Sequence, residues 1–93
     1  AARAPLIQRD FTISNKLGLH ARPSAQLTQV ASRFQSEVWI TKAGRRVNAK
    51  SIMGVMMLAA GQGSVVTVDV EGTDEAAAIE AIGQLIASGF GEE

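Results

Sequence analysis

The spacing of hydrophobic positions changes several times along the chain, and each change predicts a new element. Residues 7–13 place their apolar side chains at period two, which predicts a half-buried strand. From residue 21 to residue 34 the apolar side chains follow helical spacing. Pro23 fits only the first turn of a helix, so this helix starts within a residue or two of His20. The apolar side chains of these two elements are Ile7, Phe11, Ile13, Leu27, Val30, Ala31 and Phe34.

The middle of the chain predicts two short strands joined by a tight turn. Residues 37–42 alternate, with Trp39 on the face opposite the inward-facing Val38 and Ile40. The segment Ala43-Gly44-Arg45 is a plausible turn into a second strand around residues 46–49.

The last part of the chain predicts a short helix, a strand and a longer helix. Ser51 is an N-cap candidate for a helix from Ile52 to about Ala60. The β-branched run Val65–Val70 predicts a strand. Thr73 or Asp74 caps the final helix. The apolar stripe of that helix consists of Ile79, Ile82, Ile86 and Phe90.

The predicted order is therefore βαββαβα. Four strands with one apolar face each and three amphipathic helices predict a two-layer α+β sandwich, with all helices on one face of the sheet and the other face open. A chain of 93 residues with 46% hydrophobic content fits one domain over residues 1–93. Residues 1–5 are expected to form a loose leader.

Composition narrows the functions that this domain can have. Nine basic and nine acidic side chains balance, so nucleic acid is not an expected partner. No apolar run reaches the roughly 20 residues that span a bilayer, so membrane insertion is not expected. The absence of cysteine favours a reducing compartment, and the cytoplasm is the expected location.

His20 is the only histidine and lies in the segment Gly18–Ser24, directly ahead of the first helix. Because the ordinary pKa of an imidazole is about 6.5, such a ring is largely neutral and nucleophilic at neutral pH. A helix N-terminus attracts anions through its free N–H groups and its dipole. The guanidinium of Arg22 matches the oxygens of a phosphate. The segment therefore predicts a phosphoryl-accepting histidine.

Three other roles of a histidine compete with phosphoryl acceptance. A histidine with a purely structural role is the general alternative. A zinc site would need more ligands, and the sequence has no second histidine and no cysteine, so no metal is expected. Ser24 is a turn away, but no oxyanion-hole motif accompanies it. A phosphorylated histidine needs no cofactor, and its reaction partner would be another protein. The chain is thus expected to be a carrier and not an enzyme.

The segment after Ser51 is unusually apolar for a short helix. Val55 and Leu58 are the expected inward pair, which leaves other apolar side chains partly outside. Two interpretations stay open: a well-buried helix, or a docking surface for proteins, which methionine suits. Ser51 is either only a cap or a phosphorylation site, whose charge would be tolerated at a helix N-terminus. The apolar side chains expected to be partly outside are Ile52, Met53 and Met56.

Two motifs at this separation resemble the histidine-containing phosphocarrier family HPr of the bacterial phosphoenolpyruvate-dependent phosphotransferase system. They are Gly18-Leu19-His20-Ala21-Arg22-Pro23 and Ala49-Lys50-Ser51-Ile52-Met53-Gly54-Val55-Met56. The resemblance covers nearly the whole chain, from about Ile7 to Ile86. It implies an open-faced sandwich with a four-stranded antiparallel sheet.

The resemblance also implies roles for individual residues. His20 would accept phosphate from enzyme I on Nδ1 and pass it to a IIA domain, and Arg22 would stabilise that phosphate. Ser51 would be the regulatory serine of an HPr kinase/phosphorylase. The residues implied in partner docking are Ile52, Met53, Met56, Ala21 and Lys50. A monomer is expected, because the site must be open to two partners.

Departures from the family leave alternatives open. Enteric members carry lysines where this chain has Gln29, Ser32 and Gly54, so the basic rim of the docking surface is thinner here. The segment Ser88-Gly89-Phe90 resembles carriers of the nitrogen-related branch of the phosphotransferase system, which is one alternative. A second alternative is a regulatory binding module that signals through phosphorylated Ser51. A third, a small RNA-binding or ligand-sensing domain, would need more sheet-face aromatics than Trp39.

Overall fold

A computed structural model describes residues 6–92 of the chain. The strands are β1 (Leu6–Thr12), β2 (Glu37–Lys42), β3 (Arg45–Asn48) and β4 (Val65–Glu71), and the helices are α1 (Ala21–Ser32), α2 (Ile52–Met57) and α3 (Glu75–Ala87), followed by a 3₁₀ turn at Gly89–Gly91. The predicted order βαββαβα is confirmed. The expected leader, residues 1–5, lies outside the described residues. No helix within residues 6–92 is long and apolar enough to cross a membrane.

The four strands form one antiparallel sheet in the order β1-β4-β2-β3. Alternate side chains of the central strand β4, such as Val66 and Val68, are buried under the helices. The opposite face is open, and there the guanidinium of Arg46 lies 4.6 Å from the ring centroid of Trp39. The predicted α+β open-faced sandwich, with helices on one face, is therefore confirmed.

The β2–β3 turn is tighter than the sequence indicates. Ala43 and Gly44 both have positive φ, at 50° and 83°, which is the geometry of a two-residue hairpin turn. Arg45 therefore belongs to β3, where it pairs with Lys42, and the prediction that placed it in the turn is wrong. Ala49 lies beyond the end of β3, and its N–H donates to the carbonyl of Val38 at 2.9 Å.

Helices α1 and α2 are shorter than predicted. Helix α1 ends at Ser32, and the Phe34 ring packs on the core from beyond the helix. Helix α2 ends at Met57 and does not continue to Ala60, because Ala59 has a left-handed backbone with φ of 51°. That reversal buries Ala60 beside the β1–α1 connection.

Helix α3 ends at Ala87, so the predicted helical stripe through Phe90 is wrong in its last member. Phe90 is still a core residue, only 1% exposed, but it reaches the core from the 3₁₀ turn. Gly89, Phe90 and Gly91 all have positive φ, between 59° and 72°. Glycine tolerates this backbone, and burial of the Phe90 ring offsets its cost at the middle position. The turn sends the chain back toward the start of α1.

Asp74 occupies the N-cap position of α3, as predicted, but its carboxylate serves a different purpose from capping. It accepts hydrogen bonds from the hydroxyl of Ser36 and from the backbone N–H groups of Gln35 and Ser36, both at 2.9 Å. The Ser36 hydroxyl and then the Gln35 N–H hold the pKa of Asp74 below its usual range. Asp74 thus fastens the α1–β2 connection to the start of α3.

Candidate functional site

The β1–α1 loop is held against the segment that follows α2. The N–H of Leu19 donates to the carbonyl of Ala60 at 2.8 Å. Gly18 has φ of +65°, and a Cβ there would lie 2.2 Å from that same carbonyl oxygen. Only glycine fits this close backbone approach, which sets the position of the next two residues.

His20 is the N-cap residue of α1, with an extended backbone. Its carbonyl accepts from the N–H of Ser24 at 3.0 Å, which starts the helix. The side chain is 35% exposed, so the ring is open to solvent. The predicted placement of an accessible imidazole at a helix N-terminus is confirmed.

The His20 ring is bound by a carboxylate that the sequence does not predict. The Nε2 of His20 lies 3.0 Å from Oε2 and 3.3 Å from Oε1 of Glu92. Because a carboxylate only accepts hydrogen bonds, Nε2 carries the proton and Nδ1 carries the free lone pair when the ring is neutral. Nδ1 has no hydrogen-bond partner among residues 6–92. The nitrogen available as a nucleophile is therefore Nδ1.

Asn15 holds this carboxylate in place. It is only 2% exposed, and its Nδ2 donates to Oε1 of Glu92 at 3.0 Å and to the carbonyl of Gly18 at 2.8 Å. The backbone N–H of Glu92 donates to the carbonyl of Gly89 at 3.0 Å, within the turn anchored by Phe90. No local pattern could have revealed Asn15 and Glu92, because they meet across 77 positions of sequence.

The start of α1 offers an anion fewer free N–H donors than most helix N-termini do. The first N–H groups of a helix have no intrahelical acceptor, which leaves those of Ala21 and Arg22. Pro23 has no N–H, and the Ser24 N–H is already bonded to His20. Two adjacent donors and the helix dipole remain for an anion beside the ring.

Ser24 is not available as a nucleophile. It is 0% exposed, and its hydroxyl donates to the carbonyl of Leu19 at 2.9 Å. This hydrogen bond fixes the loop to the first turn of α1. A hydrolytic role for a His20–Ser24 pair is therefore excluded.

Arg22 is exposed on the first turn of α1, two residues after the ring. Its guanidinium makes no hydrogen bond or ion pair within the described part of the chain, and the structure does not join it to His20 or Glu92. It is a free cation on the same helical turn as the two open N–H groups.

A shallow recess of about 260 Å³ adjoins the ring and connects it to α2. Its walls include His20, Met56 and Leu17. The Leu17 wall is 73% exposed, and α2 carries further exposed apolar side chains, among them Met53 at 69%. We call these residues together the apolar surface; they are Leu17, Ile52, Met53, Met56 and Met57. Leu17 and Met57 are not among the predicted docking residues, although Leu17 is an apolar residue in an otherwise polar loop.

Helix α2 presents this surface because its inner side is fixed. Val55 and Leu58 are buried, as predicted, at 0% and 5% exposure. Ser51 is the N-cap residue, and its Oγ accepts from the N–H of Gly54 at 3.1 Å. The cap prediction is confirmed, and the Ser51 side chain is exposed beside the apolar surface.

The two other expected docking residues differ in their surroundings. Ala21 is exposed as the first residue of α1. Lys50 is half-buried, and its Nζ donates to the carbonyl of Phe34 at 2.9 Å. This places a cation at the C-terminal end of α1, where the helix dipole favours it. The ammonium of Lys50 therefore has a structural partner, whatever else it contacts. Among the residues that the structure describes, no three potential metal ligands converge.

Comparison with known proteins places this site in a family. The family model described as PTS HPr component phosphorylation site matches residues 7–88. The phosphocarrier protein HPr of Cupriavidus necator is 61% identical over 87 residues, which cover 94% of this chain and 98% of that protein. The crystal structure of HPr-C-His from Thermoanaerobacter tengcongensis has a TM-score of 0.90 and 52% identity, and the match covers 94% of this chain and 98% of that one.

A more distant relative is described as a dimer. The Bacillus subtilis catabolite repression protein Crh, whose crystal structure is described as a dimer with a swapping domain, is 42% identical with a TM-score of 0.72. That match covers 89% of this chain and 95% of Crh. The family model and these relatives place the chain among small phosphocarrier proteins. The chain belongs to the HPr family of phosphocarrier proteins of the bacterial phosphotransferase system.

Proposed function

We propose that His20 accepts a phosphoryl group on Nδ1 from phosphorylated enzyme I and passes it to IIA domains of the sugar phosphotransferase system. The observation that carries this proposal is the state of the ring. It is open to solvent, its Nε2 is bound by Glu92, and its Nδ1 has no hydrogen-bond partner among residues 6–92. Such a ring presents one nucleophilic nitrogen to a partner protein.

The chemistry of each transfer follows from this geometry. The Nδ1 lone pair attacks phosphorus, the bond between phosphorus and the donor breaks, and its electron pair stays on the donor. Passing the group on reverses these roles, with the Nδ1–phosphorus bond breaking and its electrons returning to the ring. In this proposal the N–H groups of Ala21 and Arg22 and the Arg22 guanidinium bind the phosphate oxygens.

The apolar surface is the proposed docking site for both partners, with Ala21 and Lys50 at its margin. Its exposure beside the ring supports this role, since a partner that covers Met53 and Met56 would lie over the His20 recess. In this proposal the carrier works as a monomer in the cytoplasm.

Ser51 is the proposed regulatory site, phosphorylated by an HPr kinase/phosphorylase. Its exposed hydroxyl caps the N-terminus of α2, where added negative charge is tolerated. A phosphate on Ser51 would border the apolar surface. We expect Ser51→Asp to slow phosphoryl transfer from enzyme I severalfold. The matched control Ser51→Ala loses the cap but adds no charge, so it should transfer at nearly the normal rate. Equal rates for both variants would contradict the switch.

The central test is incubation of the chain with enzyme I and phosphoenolpyruvate, followed by phosphorus NMR. We expect an acid-labile phosphohistidine that is absent in His20→Ala. Transfer onward to a sugar-specific IIA domain and to a nitrogen-branch IIA domain then separates the two branches. If no phosphohistidine forms with the enzyme I of either branch, the regulatory role of Ser51 remains as the function.

A further inference from the structure

The geometry points to Glu92 as a positioning residue for phosphoryl transfer, held in place by Asn15: the carboxylate binds Nε2–H of His20, so that Nδ1 faces the phosphoryl group and the charged ring is stabilised. This inference rests on the proposed function of His20. It assigns a role to a residue outside both motifs that indicate the family.

The contact between Glu92 and His20 is held in place by the fold. An ion pair between two mobile surface side chains contributes little. Here Glu92 is 20% exposed, receives a hydrogen bond from the buried Asn15, and follows a turn whose Phe90 is locked in the core. The carboxylate therefore reaches the ring already oriented, and less side-chain freedom is lost on pairing.

Glu92 also acts on the charge that develops on the ring. When Nδ1 bonds to phosphorus and Nε2 keeps its proton, the imidazole becomes positively charged. A carboxylate 3.0 Å from Nε2 stabilises that charge, as the aspartate of a Ser-His-Asp triad does for its imidazolium. The Glu92 carboxylate thus favours acceptance of the phosphoryl group.

Transfer of the phosphoryl group from His20 to the next protein depends on the Nε2 proton. If Nε2 keeps its proton in the phosphorylated ring, the ring departs from phosphorus as neutral imidazole. Loss of that proton would force it to depart as an anion, which is a poorer leaving group. By holding the proton on Nε2, Glu92 keeps the phosphoryl group transferable in both directions.

The test compares Glu92→Ala with Glu80→Ala in the full chain. Glu80 is an exposed acid of α3 with no hydrogen bond among residues 6–92, so it controls for the loss of one negative charge. We expect Glu92→Ala to slow phosphorylation of His20 by enzyme I about tenfold, the lower end of what loss of the partner that orients a histidine costs at metal sites. The Glu80→Ala rate should equal that of the unaltered chain.

The second readout is the Nε2–H proton of His20, observed by NMR in the unphosphorylated chain. It should exchange with water more slowly in the unaltered chain and in Glu80→Ala than in Glu92→Ala. Equal exchange in all three, or an unchanged rate in Glu92→Ala, overturns the role of Glu92. Because the exchange measurement needs no phosphate, it tests this inference even if His20 itself proves unreactive, which would instead overturn the proposed function.

Discussion

Arg22 is proposed to act on the phosphoryl group and not on the stability of the fold. Its guanidinium has no partner within residues 6–92, so it adds little to the folded state and is free to meet an incoming phosphate. We expect Arg22→Ala to slow phosphoryl transfer by at least about tenfold, because a charge-assisted donor is lost. The free energy of unfolding should change by no more than about 0.5 kcal/mol.

The matched control for Arg22 is Arg33, an exposed arginine at the other end of α1. Arg33→Ala removes the same charge away from the ring, and its transfer rate should be normal. A large loss of stability in Arg22→Ala together with normal transfer would contradict the role assigned to it. Thermal unfolding and a coupled transfer assay on the same samples decide the matter.

Gly18 is the residue on which the position of the ring depends most directly. An added Cβ would meet the Ala60 carbonyl oxygen at 2.2 Å, and φ is +65°. Gly18→Ala should therefore lower the free energy of unfolding by about 2 kcal/mol or more. Gly61→Ala is the control, since its Cβ would meet nothing within 4 Å and its φ is not left-handed. Urea unfolding of the two variants should separate them clearly, and equal midpoints would disprove the close approach.

At the level of elements, the connections decide how the helices meet the sheet. The Asp74 carboxylate at the start of α3 accepts hydrogen bonds from two backbone N–H groups of the connection between α1 and β2. These hydrogen bonds favour the ionised carboxylate, which is why its pKa lies below the ordinary value in the folded chain. A depressed folded pKa contributes stability above the unfolded pKa, and that contribution is lost as the pH falls through the folded pKa.

The corresponding prediction is that Asp74→Asn destabilises the chain at neutral pH and that this difference shrinks at acid pH. The difference should be constant above the ordinary pKa of 3.8 and should fall below it. Thermal unfolding of both chains across that range measures it. Glu80→Gln, which removes an acid of the same helix that has no hydrogen bond in the described part of the chain, should show no such dependence. A difference for Asp74→Asn that is independent of pH would show that its charge is unimportant.

The elements that the sequence predicts well are those with a strong local pattern. Strand β4 and the order of all seven elements follow from hydrophobic spacing, because a half-buried strand and a helix impose different periods. The errors fall where backbone geometry overrides spacing. Ala59 ends α2 early and Phe90 leaves α3, each with a positive φ that neither residue type favours.

The candidate site shows the same division on the scale of the whole molecule. His20 and the cap at Ser51 are local features, so the sequence reveals them directly. The Asn15–Glu92–His20 network depends on the fold bringing a turn after the last helix back to the first loop. Such a contact has no signature in spacing or composition, and only the three-dimensional arrangement discloses it.

The whole molecule also bears on oligomeric state. Within residues 6–92, strand β1 lies at an edge of the sheet and pairs with β4 alone. A dimer in which β1 moved to a second copy would have to extend the connection after it. That connection is fastened by bonds of Ile13 with Ser64 and Gly63, at 2.8 and 2.7 Å, and of Leu19 with Ala60. These contacts would have to be released during the exchange, which opposes it.

We therefore expect the chain to sediment as a monomer from micromolar to millimolar concentration. Gly18→Ala supplies the informative comparison, because its clash weakens the same connection and should raise the fraction of dimer. Sedimentation velocity of both chains gives the two fractions directly. A stable dimer of the unaltered chain would show that the loop contacts do not restrain β1. Phosphorylation of the separated dimer by enzyme I would then show whether the His20 ring and the apolar surface remain open in the dimer.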